Sequence, residues 1–406
     1  MRRAGIIPPG TLWPPTELGA GLVRGDDPRR LSPTIPGDRG RPVRTGFARH
    51  DGVVPSPGVP HQDRGPLPGG RQRPSKRGGA DGGIVGTIGG RQSDRGPRFD
   101  QTVSAGGYAW WYVDALSDDG RHGLTVIAFI GSVFSPYYAR ARQLGQPEAI
   151  DFCSLNVALY GASGKHWAMT ERGRAQVDRA RDFLTIGQSR LSWDGNALTI
   201  DINEHSSPIA RPLRGRVRLS PHCLVDYRVA IDADAQHNWQ PIAPAARVEV
   251  AFDDPALRWA GPGYLDSNSG SAPIEDAFTG WTWSRAHVHD GMTVLYDMTR
   301  RDQTTQSLAL HFDDQGRVTH FDPPPPAPLP RSLWRVDRTT RADADHSPRI
   351  LQTLEDTPFY ARSVLSTHLL GQPAVAMHES LSLDRFRTGW VQWMLPYRMP
   401  RDERSA

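Results

Sequence analysis

From residue 99 onward, short runs rich in aromatic and β-branched residues alternate with turn residues at intervals of 8–12 positions. Residues 107–116 and 122–130 predict a hairpin across the turn Ser117-Asp118-Asp119-Gly120. Runs at 153–161, 167–172, 189–195, 197–206, 214–221, 225–231 and 246–254 continue the rhythm, with Trp193-Asp194-Gly195-Asn196 as a hairpin corner. Residues 282–322 repeat it as three strands, and apolar runs at 333–341, 349–369, 374–386 and 389–399 read as further strands. The proline run 323–330 predicts an extended spacer, and only 136–145 and 173–182 read as helical. This is the rhythm of an all-β protein, two consecutive antiparallel barrel or sandwich domains over 98–255 and 256–406.

Composition separates the first hundred residues from the rest. They hold 15 Pro and 21 Gly, with 17 Lys+Arg against 9 Asp+Glu, leaving 31 against 35 for the remainder. So much Pro and Gly without apolar periodicity cannot offset chain entropy, and residues 1–97 are expected to be a disordered Pro/Gly/Arg-rich tail. The basic pI belongs to that tail, so it gives no reason to expect nucleic-acid binding by the folded part. The sequence contains no run of 18 apolar residues and no charged segment leading into an apolar one, which predicts a cytoplasmic chain without a spanning segment. Cys153 and Cys223, 70 residues apart and outside any CxxC, predict free thiols rather than a disulfide or a thiolate metal site.

Chemistry concentrates in residues 259–285. Gly261, Pro262, Gly263, Asn268, Ser269 and Gly270 predict a sharply folded loop, which would present Asp266 beside Tyr264, Trp259, Trp281 and Trp283. An apolar wall penalises a carboxylate and can keep an aspartic acid protonated near neutral pH. Other constellations are weaker. His287 and His289 share a strand face without an evident third metal ligand, and Glu275-Asp276 are adjacent, hence opposed on a strand. The glycines between 82 and 90 make no phosphate-binding loop, and there is no GxSxG elbow.

The segments GYAWWYVDALSDDG, FIGSVFSPYY, HNWQP and GPGYLDSNSGSAPIEDAFTGWTWSRA resemble the carotenoid 1,2-hydratase (hydroxyneurosporene synthase) family over residues 98–400. The resemblance implies tandem lipocalin-like β units and a cofactor-independent hydro-lyase that adds water to the terminal C1=C2 bond of acyclic carotenoids such as neurosporene and lycopene. It also implies Asp266 as catalytic acid, with His237, Tyr264 and Trp239 around it. The residue chemistry agrees. An unactivated alkene is a poor base, so its protonation needs a neutral, desolvated acid, and the resulting tertiary cation favours indole and phenol faces. Trp239, Tyr264, Trp281 and Trp283 are candidates for that lining, Trp259 and Asn268 for substrate contact, and His237 for orienting the attacking water. Two alternatives stay open at this level: a non-catalytic carrier of an apolar ligand, and a Diels–Alderase or other ring-closing enzyme on the same scaffold. A water-insoluble substrate further predicts peripheral contact with membrane lipid at the inner or intracytoplasmic membrane, through a rim including Phe134, Tyr137 and Tyr138.

Overall fold

The computed structural model describes residues 96–161 and 164–402; the expected tail, but for its last two residues, lies outside them. Twelve strands make the first sheet: β1 (Tyr108–Leu116), β2 (Gly123–Ile130), β3 (Cys153–Tyr160), β4 (His166–Arg172), β5 (Val177–Arg179), β6 (Phe183–Ile186), β7 (Ser189–Trp193), β8 (Leu198–His205), β9 (Pro212–Pro221), β10 (Val229–Ala230), β11 (His237–Asp254) and β12 (Leu257–Gly270). Helix α1 (Pro136–Leu144) lies between β2 and β3, its first turn capped by the Ser135 hydroxyl, which accepts from the Tyr138 amide at 3.0 Å. The pairing order β4-β3-β2-β1-β12-β11-β9-β8-β7-β6-β5 is antiparallel throughout, with β10 beside β11. The ends curl together, so that β4 packs back on β8 and Arg172 donates to Glu204 across the seam at 2.7 Å, nearly closing a barrel.

After the short helix α2 (Ile274–Ala277) the chain enters a second sheet of β13 (Phe278–Val288), β14 (Gly291–Arg300), β15 (Thr305–Asp313) and β16 (Val318–His320). A separate pair, β17 (Pro326–Leu329) and β18 (Arg338–Arg341), is followed by β19 (Arg349–Asp356), β20 (Tyr360–Leu369) and β21 (Gln372–Ser382), then α3 (Leu383–Phe386) and α4 (Gly389–Arg398). The second sheet runs β16-β15-β14-β13-β21-β20-β19. The passage between sheets falls at residues 271–277 rather than at 255/256, because β11 and β12 form one long hairpin inside the first sheet.

Strand β1 explains why the two sheets meet where they do. Its odd residues Ala109, Trp111, Val113 and Ala115 fill the barrel interior, while its even residues Tyr108, Trp110 and Tyr112 pack toward the second sheet. Both faces are therefore apolar, which is the signature of a strand with a packed layer on either side. Trp283, Tyr296, Met298, Leu310 and Leu381 of the second sheet complete that outer layer. Asp114, on the same face as Tyr112, pairs with Arg285 of β13, so a buried ion pair ties β1 to the second sheet.

Several expected elements change. The stretch 259–285 is no loop: it is β12, α2 and the start of β13. Its glycines serve close strand approach, not turning. A Cβ on Gly261 would stand 1.8 Å from the Leu116 carbonyl oxygen, and one on Gly263 would stand 2.3 Å from Val248 Cγ2. We expect Gly261→Ala to cost about 1–3 kcal/mol, the usual range for overpacking, read from the denaturant midpoint; an unchanged midpoint would show that β1 and β12 can separate there. Segment 173–182 holds a three-residue 3₁₀ turn and β5 rather than a helix, and of 225–231 only β10 is strand. Residues 389–399, read as strand from their aromatics, form α4, whose Val391 and Leu395 recur at helical spacing on the inner side. Part of the proline spacer pairs as β17.

Candidate active site

A cavity of about 470 Å³ lies between the outer face of the barrel and the inner face of the second sheet. The even positions of β1 and β3 and the odd positions of β2 line one wall, represented by Trp110, Tyr112, Ile127, Phe129, Ala158 and Tyr160. Trp281 and Trp283 of β13, Tyr296 of β14 and Leu381 of β21 line the facing wall. The end of β19 (Glu355, Asp356), the turn residues 357–359 and helix α4 complete the enclosure. Asp266, Trp239 and Asn268 stand at its buried end, whereas Trp334 and Arg398 bring the lining out to solvent.

Asp266 is placed there by strand parity. On β12, Tyr264, Asp266 and Asn268 share the face turned to the second sheet, and register sets Asp266 opposite Tyr112 on one side and Pro241 on the other. Its Oδ2 accepts from the indole Nε1–H of Trp239 at 2.8 Å and from the phenol of Tyr264 at 2.9 Å. Its Oδ1 is buried and has no hydrogen-bond partner. Burial pushes the pKa up to about 8; the two donors pull it down, and the nearby carboxylates Glu379 and Asp114 push it further up. The carboxyl group thus has one oxygen held by two donors and one that can carry a proton. Burial also holds the Tyr264 phenol well above its ordinary pKa, so it serves as a donor.

Of the other carboxylates in the lining, Glu355 too is raised by burial, with the Tyr160 hydroxyl as a hydrogen-bond partner, while Glu379, Asp114 and Asp356 have firmer partners. Glu379 pairs with Arg362, whose Nε also donates to the Tyr360 hydroxyl at 2.8 Å. The Tyr112 hydroxyl accepts from Arg362 Nη2 at 2.8 Å and lies 2.7 Å from Glu379 Oε1 and 2.9 Å from Asp114 Oδ2. Arg285 Nε donates to Asp114 Oδ1 at 2.6 Å. Asp356 accepts from the Leu333 amide at 2.6 Å. Asp266 is the carboxyl at the deep end, and the hydrogen-bond donors it has are neutral. That combination is suited to giving up a proton inside an apolar enclosure and to holding a transient cation among indole and phenol faces.

The residues predicted from sequence divide clearly. Asp266, Trp239 and Tyr264 come together, and Trp281, Trp283 and Asn268 line the same cavity, though Tyr264 stands behind Asp266 rather than on the surface of the cavity. His237 does not reach the cavity. It is on the Trp239 face but two residues along, roughly 7 Å of strand, where its Nδ1 is 2.8 Å from the Tyr108 hydroxyl and its ring meets Phe278 edge-on. Tyr108 in turn stacks on Trp110, so His237 backs the wall at one remove. Trp259 lies on the other face of β12, packed against the barrel interior and stacked on His122, and makes no contact with the cavity. His287 and His289 stand at the exposed end of β13 and in the turn beyond.

Sequence reasoning did not single out Tyr112, Asp114, Arg362, Glu379 or Tyr296. The alternation in residues 108–115 held a signal for the first two: an aspartate on a face otherwise made of Tyr and Trp, in a strand apolar on both sides, must have a buried partner. Arg362 and Glu379 meet only through the pairing of β20 with β21, which no local pattern reveals.

Residues 126–406 match the family described as Carotenoid hydratase CrtC. The chain is 53% identical over 402 residues to an acyclic carotenoid 1,2-hydratase of Thiocapsa roseopersicina, covering 99% of each protein. It is 49% identical over 377 residues to the protein of the same name from Rubrivivax gelatinosus, covering 91% of this chain and 92% of that one. A solved AttH structure from Nitrosomonas europaea overlays with a TM-score of 0.48 at 16% identity, covering 68% of this chain and 92% of the other.

Proposed function

The chain belongs to the carotenoid hydratase family, and from that premise we propose that the cavity hydrates the terminal C1=C2 double bond of acyclic carotenoids, with Asp266 as proton donor. The observation that carries this reading is the Asp266 carboxyl: buried, raised to about 8, held through one oxygen by Trp239 and Tyr264, with the other oxygen unpaired. A carrier of apolar ligands has no use for such a group, since an unpaired buried carboxyl oxygen only costs stability.

The steps balance with water alone. One end of the polyene enters the cavity with its terminal double bond against Asp266. The acid gives its proton to C2, and the π pair becomes the new C–H bond, leaving a tertiary cation at C1. Trp281, Trp283 and Tyr296 face that position with π density, worth roughly 0.5–2 kcal/mol each when desolvated. Water then attacks C1 and loses a proton, which restores the acid and gives the 1-hydroxy-1,2-dihydro product. Asn268, which lines the cavity two residues from Asp266 on the same strand face and beside Tyr296, would hold that water, a role sequence had suggested for His237. Substrate of this kind resides in lipid, so the protein works as a peripheral visitor to a membrane; no helix among the described residues is long and apolar enough to cross one.

The active form is the protonated acid, so hydration should be present below pH 8 and fall as pH rises through about 8. The donors on Oδ2 stabilise the carboxylate, so removing one in Tyr264→Phe should move the falling limb to higher pH while lowering the rate. Initial rates on lycopene in detergent micelles across that range, for both proteins, test this. A limb that stays in place on Tyr264→Phe would mean that another group titrates. Running the reaction in ¹⁸O-labelled water separates hydration from ring closure, because only hydration places label in the product.

A further inference from the structure

Helix α4 is apolar on two sides. Val391, Met394 and Leu395 face the cavity, with Val391 buried, while Trp390 is 46% exposed, Trp393 68% and Tyr397 59%. The outward residues follow the i, i+3, i+7 spacing of one helix stripe. Trp390 stacks on Trp334 at 6.0 Å between centroids, and Trp393 packs on Tyr397 at 5.4 Å. Leu333, 94% exposed, adjoins Trp334. The Ser207 hydroxyl donates to the Tyr397 carbonyl at 2.7 Å, tying the β8–β9 connection, which also carries exposed Ile209, to the helix end. On the rim of the patch Arg387 pairs with Asp276, Arg401 with Glu171, and Arg385 donates to the Pro358 and Trp334 carbonyls, while Arg398 is the exposed cation at the cavity mouth. Arg398 is both on this rim and in the cavity lining, lying over the Trp167 ring at 4.8 Å.

We propose that this face is the membrane-docking surface, seating the mouth of the cavity on an anionic bilayer so that one end of the polyene passes directly from lipid to Asp266. The occupant follows from the chemistry. A cluster of Trp and Tyr, amphipathic rings suited to the headgroup layer, stands where the cavity lining meets solvent, with the exposed guanidinium of Arg398 beside it to meet an anionic headgroup. A cavity of about 470 Å³ takes one end of a long polyene, and a bilayer at its mouth keeps the remainder out of water. The docking rim expected at Phe134, Tyr137 and Tyr138 is thereby relocated: Tyr138 is fully buried, donating to the Gly107 carbonyl, and Phe134 packs inside against Phe359 and Phe386.

This inference rests on the carotenoid reading for its purpose but is tested without substrate. Full-length protein is floated with vesicles of phosphatidylcholine and phosphatidylglycerol. The triple variant Trp390→Ser, Trp393→Ser, Tyr397→Ser should bind about tenfold more weakly or worse, given the apolar area lost. Leu144→Ser with Leu351→Ser, exposed apolar residues elsewhere, should bind as wild type. Near-ultraviolet circular dichroism confirms that the triple variant is folded. Its hydration of lycopene in detergent micelles should persist while hydration of vesicle-borne lycopene falls in step with binding. Wild-type vesicle binding by the triple variant, or no binding by wild type, overturns the proposal. So does a wild-type dimer in solution that the triple variant converts to monomer without any vesicle binding, which assigns the face to self-association. Loss of micellar hydration in wild type would instead count against the carotenoid reading and leave the binding result to stand by itself.

Discussion

Asp266→Asn will bind carotenoid and fail to hydrate it. The amide oxygen can still accept from Trp239 and Tyr264, so the side chain stays where the two donors hold it. What is lost is the proton on the other oxygen. General acid catalysis contributes about 10²–10⁴-fold in ordinary cases, and an isolated alkene, a far weaker base than most substrates, belongs at the upper end. Binding is read from the shift of the polyene absorption band and hydration from product formation. A folded Asp266→Asn protein that keeps more than about a tenth of wild-type turnover would end the assignment. The control must touch no buried charge. Glu275→Gln fails that requirement, because Glu275 pairs with Arg142 at 2.6 Å in a separate pocket and its loss strands a buried guanidinium. Asp253→Asn, on an exposed carboxylate at the barrel end, is the suitable comparison.

Breaking the Asp114–Arg285 pair should be the most damaging change to stability. Both groups are buried and they join β1 to β13, so Arg285→Leu leaves an aspartate without its cation inside the layer that holds the cavity. Removal of one partner from a buried pair costs about 3–5 kcal/mol. The neighbouring chain from Asp114 through Tyr112 to Glu379 and Arg362 would be reorganised as well, so activity should fall with stability. The double variant Asp114→Leu, Arg285→Leu should recover most of the loss, since a matched apolar pair needs no charge compensation. Chemical denaturation of the three variants gives the cycle directly. If Arg285→Leu unfolds at the wild-type midpoint, the pair is incidental to the joining of the sheets.

Much of this was legible in sequence because β-strands write their environment with a period of two. The hairpin of β1 and β2, most of the strands to residue 254 outside 173–182 and 225–231, and the company of Trp239, Tyr264, Trp281 and Trp283 around Asp266 follow from residue type and spacing. The errors have a common source. Clustered glycines in 259–270 resemble a turn, yet here they let β12 lie close to β1 and β11, a tertiary fact with no local trace. Treating that stretch as a loop removed its parity, and parity is what separates Asp266 from Trp259. His237 was grouped with Trp239 by proximity in sequence; two residues of extended chain carry it past the Tyr108 ring. Aromatic residues in 389–398 favour strand by propensity, and the helix is fixed by what its inner stripe covers.

The walls shared by barrel and cavity make β1, β2, β3 and β4 doubly coded. One set of alternate letters spells the barrel interior; the interleaved set spells the shape of the chamber. A diversification library confined to Trp110, Ile127, Phe129, Ala158 and Met169 would therefore rewrite which polyene ends are accepted while leaving the scaffold's own text intact. Enlarging Ala158 would be the simplest way to ask the enzyme for a shorter reach.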